Sequence, residues 1–165
     1  MIKIIDNYLE TNKFEYIESI LMGSDFPWFY QSTVSKVDDN KEFYFNHTLY
    51  FNSVVTSHLF QSIMTEFLER LNPKQLLRSK VNCFLRSKEH FKFGKHIDTV
   101  DKHNVALWYA NTNNGKTVII ENGKEEIIDN IKNRMVIFDG SLEHYPISQT
   151  DTKTRVNLNI NYVPI

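Results

Sequence analysis

His96, Ile97 and Asp98 form a His-x-Asp unit in a stretch, 92–98, that reads as a strand. Side chains two residues apart on a strand project to one face, so His96 and Asp98 can converge on one point. His144 offers a third ligand, just past the strand-like run 133–138 and the turn Asp139-Gly140-Ser141. Two imidazoles and one carboxylate can hold a divalent metal on one face. About three positions of an octahedral ion then stay open, the arrangement suited to O2 chemistry at non-haem Fe(II). His90, Asp101 and His103 are competing ligands nearby. A His-x-Asp pair alone also fits a polar strand end whose hydrogen bonds are met locally.

The run Arg155-Val156-Asn157-Leu158-Asn159-Ile160-Asn161-Tyr162 adds weight. Its even positions are apolar and face a core. Its odd positions are Arg155, Asn157, Asn159 and Asn161. Asparagine is a poor strand former, so three on one face carry a propensity cost. One reading is a solvated face with an ordinary arginine. The other is a polar interior surface in which Arg155 is a fixed anion binder, since a guanidinium donates two parallel hydrogen bonds to a carboxylate.

The elements that must position these residues follow from periodicity. Ile2–Ile5 reads as a short strand. Thr11 reads as a helix N-cap, followed by Phe14, Ile17, Ile20 and Leu21 at helical spacing and stopped at Gly23-Ser24. A second helix is expected from Ser53, with Val55, Leu59, Ile63, Phe67 and Leu71 as its apolar stripe and Asn72-Pro73 as its end. Aromatic stretches at 26–30 and 43–51 are expected to cover the sheet edge and core, or to line a pocket mouth. Strands are expected at 80–86, 92–98, 104–112, 116–121, 124–128, 133–138 and 154–163. Asn114-Gly115 and Asn122-Gly123 read as tight hairpin turns. The fold class is therefore mainly β with N-terminal helices, an antiparallel sandwich or barrel within one domain, 1–165.

Composition sets the outer bounds. The chain has 165 residues, 41% of them hydrophobic and 24% charged, which suits a packed domain. With 19 basic and 20 acidic residues it lacks the basic excess expected of a duplex-DNA binder. A single cysteine excludes an internal disulfide framework or a multi-cysteine zinc site. No apolar run approaches the roughly 20 residues of a membrane-spanning helix. The start lacks a signal pattern, so a cytoplasmic setting is expected.

Taken together, the chain resembles the 2-oxoglutarate- and Fe(II)-dependent dioxygenases, in particular their prolyl-4-hydroxylase-like branch. The residues carrying the resemblance are His96-Ile97-Asp98, Leu107-Trp108-Tyr109-Ala110-Asn111, Gly115-Lys116-Thr117, Val136-Ile137-Phe138-Asp139-Gly140, His144 and Arg155. The segments Phe26-Pro27-Trp28 and Arg78-Ser79-Lys80-Val81-Asn82 are similar to small single-domain oxygenases encoded by some bacteriophages.

The resemblance implies a double-stranded β-helix, a distorted jelly roll buttressed by helices. It implies Fe(II) on His96, Asp98 and His144, with 2-oxoglutarate and O2 as co-substrates and ascorbate as a supporting reductant. Arg155 and Tyr109 would hold the distal carboxylate of 2-oxoglutarate, with Asn82, Thr117 and Asn157 as further contacts. The implied reaction converts 2-oxoglutarate to succinate while hydroxylating a peptide side chain, prolyl in type, or a small amino-acid-like substrate.

Some positions depart from the pattern. A tyrosine that some relatives carry before the His-x-Asp unit is Phe84 here. The glycine before Thr117 is single. The second arginine of the alkylation-repair branch, six residues after the first, is Asn161 here, which argues against nucleic-acid substrates. The basic segment 86–95 reads as a solvated loop or as a surface that attracts an acidic substrate. The rival reading is a cupin-like β-barrel that binds without catalysis or carries a different metal. Such barrels more often show His-x-His with a carboxylate.

Overall fold

In a computed structural model, residues 1–34, 43–98 and 102–165 are described. Short antiparallel strands form two sheets, with two helices packed against the larger one. The strands are β1 (Lys3–Ile5), β2 (Phe29–Gln31), β3 (Tyr44–Phe51), β4 (Val54–Val55), β5 (Gln75–Leu85) and β6 (Asn104–Tyr109). They continue as β7 (Lys116–Glu121), β8 (Lys124–Asp129), β9 (Met135–Asp139), β10 (His144–Ile147) and β11 (Thr154–Val163). The helices are α1 (Thr11–Leu21) and α2 (Phe60–Leu71). The large sheet runs β1-β9-β6-β11-β5-β3-β2, with β4 paired to β3; the small sheet runs β10-β7-β8.

The two faces of the large sheet have different tasks, and period-two alternation assigns them. Val156, Leu158, Ile160 and Tyr162 of β11 join Ala106 and Trp108 of β6 under the helices. Phe14 of α1 and Phe67 of α2 meet the Trp108 ring edge-on at 5.8 and 5.2 Å. The opposite face carries Val105, Leu107, Tyr109, Val136 and Phe138, packed with Ile119 and Ile128 of the small sheet. Between the sheets, this face turns polar along β11, where Arg155, Asn157, Asn159 and Asn161 are all buried.

Several expected elements are corrected. The stretch 92–98 is no continuous strand; its β-pairing is confined to isolated bridges, Lys92 to Ile147 and His96 to His144. The second helix begins at Phe60 rather than Ser53. Val54 and Val55 are exposed and pair back onto β3, after Asn52 and Ser53 turn the chain at φ 50° and 62°. Glu10, not Thr11, occupies the first helix's N-cap position, with no side-chain cap. Asn122-Gly123 is the expected hairpin turn, at φ 53° and 74° between β7 and β8. Asn114-Gly115 is not a hairpin: it leads from the large sheet into the small one. Glycine is needed there for close approach, since a Cβ would lie 2.9 Å from Asn113 Oδ1 and 3.0 Å from the Ile147 carbonyl. The aromatic stretch 43–51 is largely β3, and Phe29 and Tyr30 lie on the edge strand β2.

Candidate metal centre and anion pocket

His96, Asp98 and His144 come together although His144 lies 48 positions beyond His96 in the numbering. Their ligating atoms all lie within 4.8 Å of one another. The main chain brings the histidines face to face: His96 N–H donates to His144 O at 3.1 Å, and His144 N–H donates to His96 O at 2.9 Å. Each ring is then steered by its own backbone. Nδ1 of His96 meets the Gly94 carbonyl at 3.1 Å, and Nδ1 of His144 meets the Leu142 carbonyl at 3.1 Å. A carbonyl only accepts, so both rings carry a proton on Nδ1, and the neutral form of each presents its Nε2 lone pair to a ligand.

Electrostatics agree with that role. Burial holds the His144 pKa below the usual imidazole value, despite the opposing Asp98 charge. Burial pushes the Asp98 carboxyl up. His144, Lys80, Arg78 and the Asn161 amide more than offset this, leaving it well below the usual carboxylate range. Neutral imidazoles and an ionised carboxylate are the ligand forms a metal requires.

Arg155 lies on the same cavity wall, 1% exposed. It makes no ion pair among the described residues. Its guanidinium donates to Asn130 Oδ1 at 2.9 Å, the Ile147 carbonyl at 3.1 Å and Thr117 Oγ1 at 2.8 Å. Tyr109 also donates to Thr117 Oγ1, at 2.7 Å. The Thr117 oxygen thus accepts two bonds and keeps its own proton to donate. Phe84 lies under the guanidinium, 5.7 Å from ring centroid to Cζ, so the residue that lacks a hydroxyl supplies a cation–π face instead. Burial lowers the Arg155 pKa, as expected for a desolvated cation.

The cavity joining these groups is lined by Asn82, His96, Thr117, His144, Arg155, Asn157 and Asn159, among others. Asn82 donates to Asn157 Oδ1 at 3.0 Å. The Oδ1 atoms of Asn82 and Asn159 are buried without a partner, which marks a wall left for a polar occupant to complete. A wider cleft opens on the far side of Asp98, lined by Phe51, Asn52, Ser53, Leu77, Arg78 and Asn161.

The competing histidines are placed elsewhere. His90 Nδ1 bonds the Ser148 carbonyl, and buried His103 accepts the Gly140 amide through its own carbonyl. Asp101 lies outside the described residues. The basic segment 86–95 is partly anchored. Phe93 is buried, and Lys92 and Lys95 lie over the Tyr145 ring near Glu125. Sequence reasoning named Arg78 only as part of a resemblance and Asn161 only as a departure from the repair branch, gave neither of them nor Asn159 a contact at the site, and overlooked Asn130. Three asparagines on one strand face were the available signal.

No family model and no curated protein sequence matches the chain. Solved structures do match in shape. A 2OG-Fe(II) oxygenase family oxidoreductase from Burkholderia pseudomallei aligns at TM-score 0.71 and 10% identity, over 98% of this chain and 85% of that one. A prolyl hydroxylase from Trichoplax adhaerens, solved with a hypoxia inducible factor peptide fragment, aligns at TM-score 0.70 and 12% identity, covering 99% and 83%. A prolyl-4-hydroxylase from Pseudomonas putida aligns at TM-score 0.64 and 11% identity, covering 98% and 92%. The chain therefore has the fold of the 2OG-Fe(II) oxygenases, the helix-buttressed jelly roll that the sequence resemblance implied. No helix among the described residues is long and apolar enough to cross a membrane.

Proposed function

We propose that the protein is an Fe(II)- and 2-oxoglutarate-dependent dioxygenase that hydroxylates a peptide side chain, prolyl in type, or a small amino-acid-like substrate. The observation that carries this reading is Arg155: a buried guanidinium with no carboxylate partner among the described residues, on the wall of the cavity lined also by His96 and His144 of the His96–Asp98–His144 cluster. An isolated buried cation is costly, so such a site is completed by an anion. The donor set fits Fe(II), since two neutral imidazoles and one carboxylate on one side leave room for further ligands.

With Fe(II), 2-oxoglutarate and O2 bound, the site would supply the oxidising power for hydroxylation, with succinate and CO2 as co-products. The chain's own residues do the positioning. Arg155 would take the distal carboxylate with its fork, and the Thr117 hydroxyl would donate to the same group. Tyr109 holds Thr117 in place. Asn82 and Asn157 brace each other on the cavity wall. The sheets bury Arg155, Thr117 and Asn157, which strengthens each of their polar contacts. A peptide substrate fits the open cleft beside Asp98, and the Trichoplax neighbour gives a precedent for peptide binding on this fold.

The deciding experiment is anaerobic addition of Fe(II) and 2-oxoglutarate to the purified protein, with visible spectroscopy. A weak charge-transfer band is expected, lost in His144→Ala and weakened in Arg155→Ala. Metal binding with neither a band nor succinate formation on adding O2 would favour a cupin-like binding module instead.

A further inference from the structure

We propose that Asn159, Asn161 and Arg78 are positioning residues that make Asp98 a one-oxygen metal ligand, presented through Oδ1. The inference rests on the metal centre proposed above. The Asp98 side chain is 4% exposed. Its Oδ2 accepts hydrogen bonds from the Nδ2 groups of both Asn159 and Asn161, each at 2.9 Å. A carboxylate oxygen has two in-plane lone pairs, and here both are taken. Oδ1 faces Arg78 Nη2 at 2.9 Å, but that nitrogen lacks hydrogen-bond alignment. The contact is an ion pair that steadies the negative charge and leaves a lone pair of Oδ1 available.

Arg78 is held in turn. Its Nε donates to Asn161 Oδ1 at 2.9 Å, which closes a ring of Arg78, Asn161 and Asp98. The strands supply the register. Asn161 pairs with Arg78 across β11 and β5, beside the shift that leaves Leu77 without a partner. A bulge there re-aims neighbouring side chains. Asp98 itself lies outside every named strand, and the last bridge before it is at His96. Its orientation therefore depends on this side-chain ring. With a metal bound, withholding Oδ2 would leave Asp98 to offer one oxygen rather than two.

Metal binding to the apoprotein tests this without turnover. Mn(II) affinity is expected to fall about 10- to 100-fold in Arg78→Met and in Asn161→Ala, the usual range for lost outer partners of a ligand, with most of it recovered in Arg78→Lys. The Asn159→Ala/Asn161→Ala double variant frees Oδ2. Its Co(II) visible band is expected to weaken relative to wild type as the coordination number rises. Two results overturn the proposal. One is an affinity within about twofold of wild type in Arg78→Met, or in Asn161→Ala should the first variant not fold. The other is an unchanged Co(II) spectrum in the double variant. Wild-type protein that binds no Mn(II), or binds it as well after His144→Ala, would instead sink the metal centre itself.

Discussion

A guanidinium withdrawn from water and surrounded by neutral acceptors is a burden on stability, and Arg155 is such a group. Replacing a buried charge with an apolar group of similar shape is often neutral or favourable. Arg155→Met also removes one donor from each of Asn130, Ile147 and Thr117, a loss of about 1 kcal/mol each. The two effects oppose each other, so folding stability should move by no more than about 2 kcal/mol. On the proposed function, 2-oxoglutarate is expected to raise the melting temperature of the metal-loaded protein, and in Arg155→Met that gain should vanish. Thermal melts with and without the co-substrate check both parts. A large loss of stability with the ligand effect retained would make Arg155 a structural residue. Its polar partners also show the limit of reading from sequence. Alternation placed Arg155 and the three asparagines on one face. The pairing of Asn159 and Asn161 with Asp98 depends on a segment whose path no local periodicity encodes.

At the scale of elements, Asn133 ties the N-terminal segment to the sheet. It sits at φ 59°, with Oδ1 accepting from Leu9 N–H at 2.9 Å and Trp108 Nε1 at 3.1 Å, and Nδ2 donating to the Leu9 carbonyl at 2.8 Å. Asn133→Ala orphans two buried donors and puts alanine, which tolerates the left-handed region less well than asparagine, at positive φ. Denaturant unfolding should show a loss of about 3 kcal/mol. Asn133→Gly should recover about 1 kcal/mol of that by relieving the backbone. The elements legible in the sequence were those with long, consistent patterns, such as α2 beyond Phe60 and β11. The β3–β4 turn was hidden because Asn52-Ser53 adopts left-handed geometry without a glycine, so Val54 and Val55 blended into the helical stripe. The four-residue β10 contains Pro146 and is too short for alternation to register.

For the molecule as a whole, the buried histidines give stability a pH dependence. His47 is buried, its Nδ1 meeting the Pro27 carbonyl at 2.9 Å and its Nε2 the Ser57 hydroxyl at 2.7 Å. Burial lowers its pKa, as it lowers that of His144. The folded state therefore takes up protons less readily than the unfolded chain. Above the unfolded value, about 6.5, both forms are neutral and stability is at its plateau. As the pH falls below that value, the unfolded chain is protonated first and stability declines towards the folded pKa values. Asp98 adds a second loss under strongly acid conditions, below about 3.8, because its folded pKa is depressed. Urea midpoints of the apoprotein between about pH 8 and pH 5 should fall from near pH 6.5 downward. The slope should be shallower in His47→Asn. A flat profile would mean that the two imidazoles titrate as they do in water.

The reciprocal backbone bonds between His96 and His144 also set how the site comes apart. Both amide hydrogens are protected by one bridge rather than by a long ladder, so a single local opening releases them together. The same fluctuation separates the two imidazoles. Ligand loss at this centre is then an all-or-none event of the chain, and any ion that spans the rings acts as a latch on that motion. For the proposed metal centre, residence time of an ion and exchange rate of those two hydrogens become two readings of one opening motion.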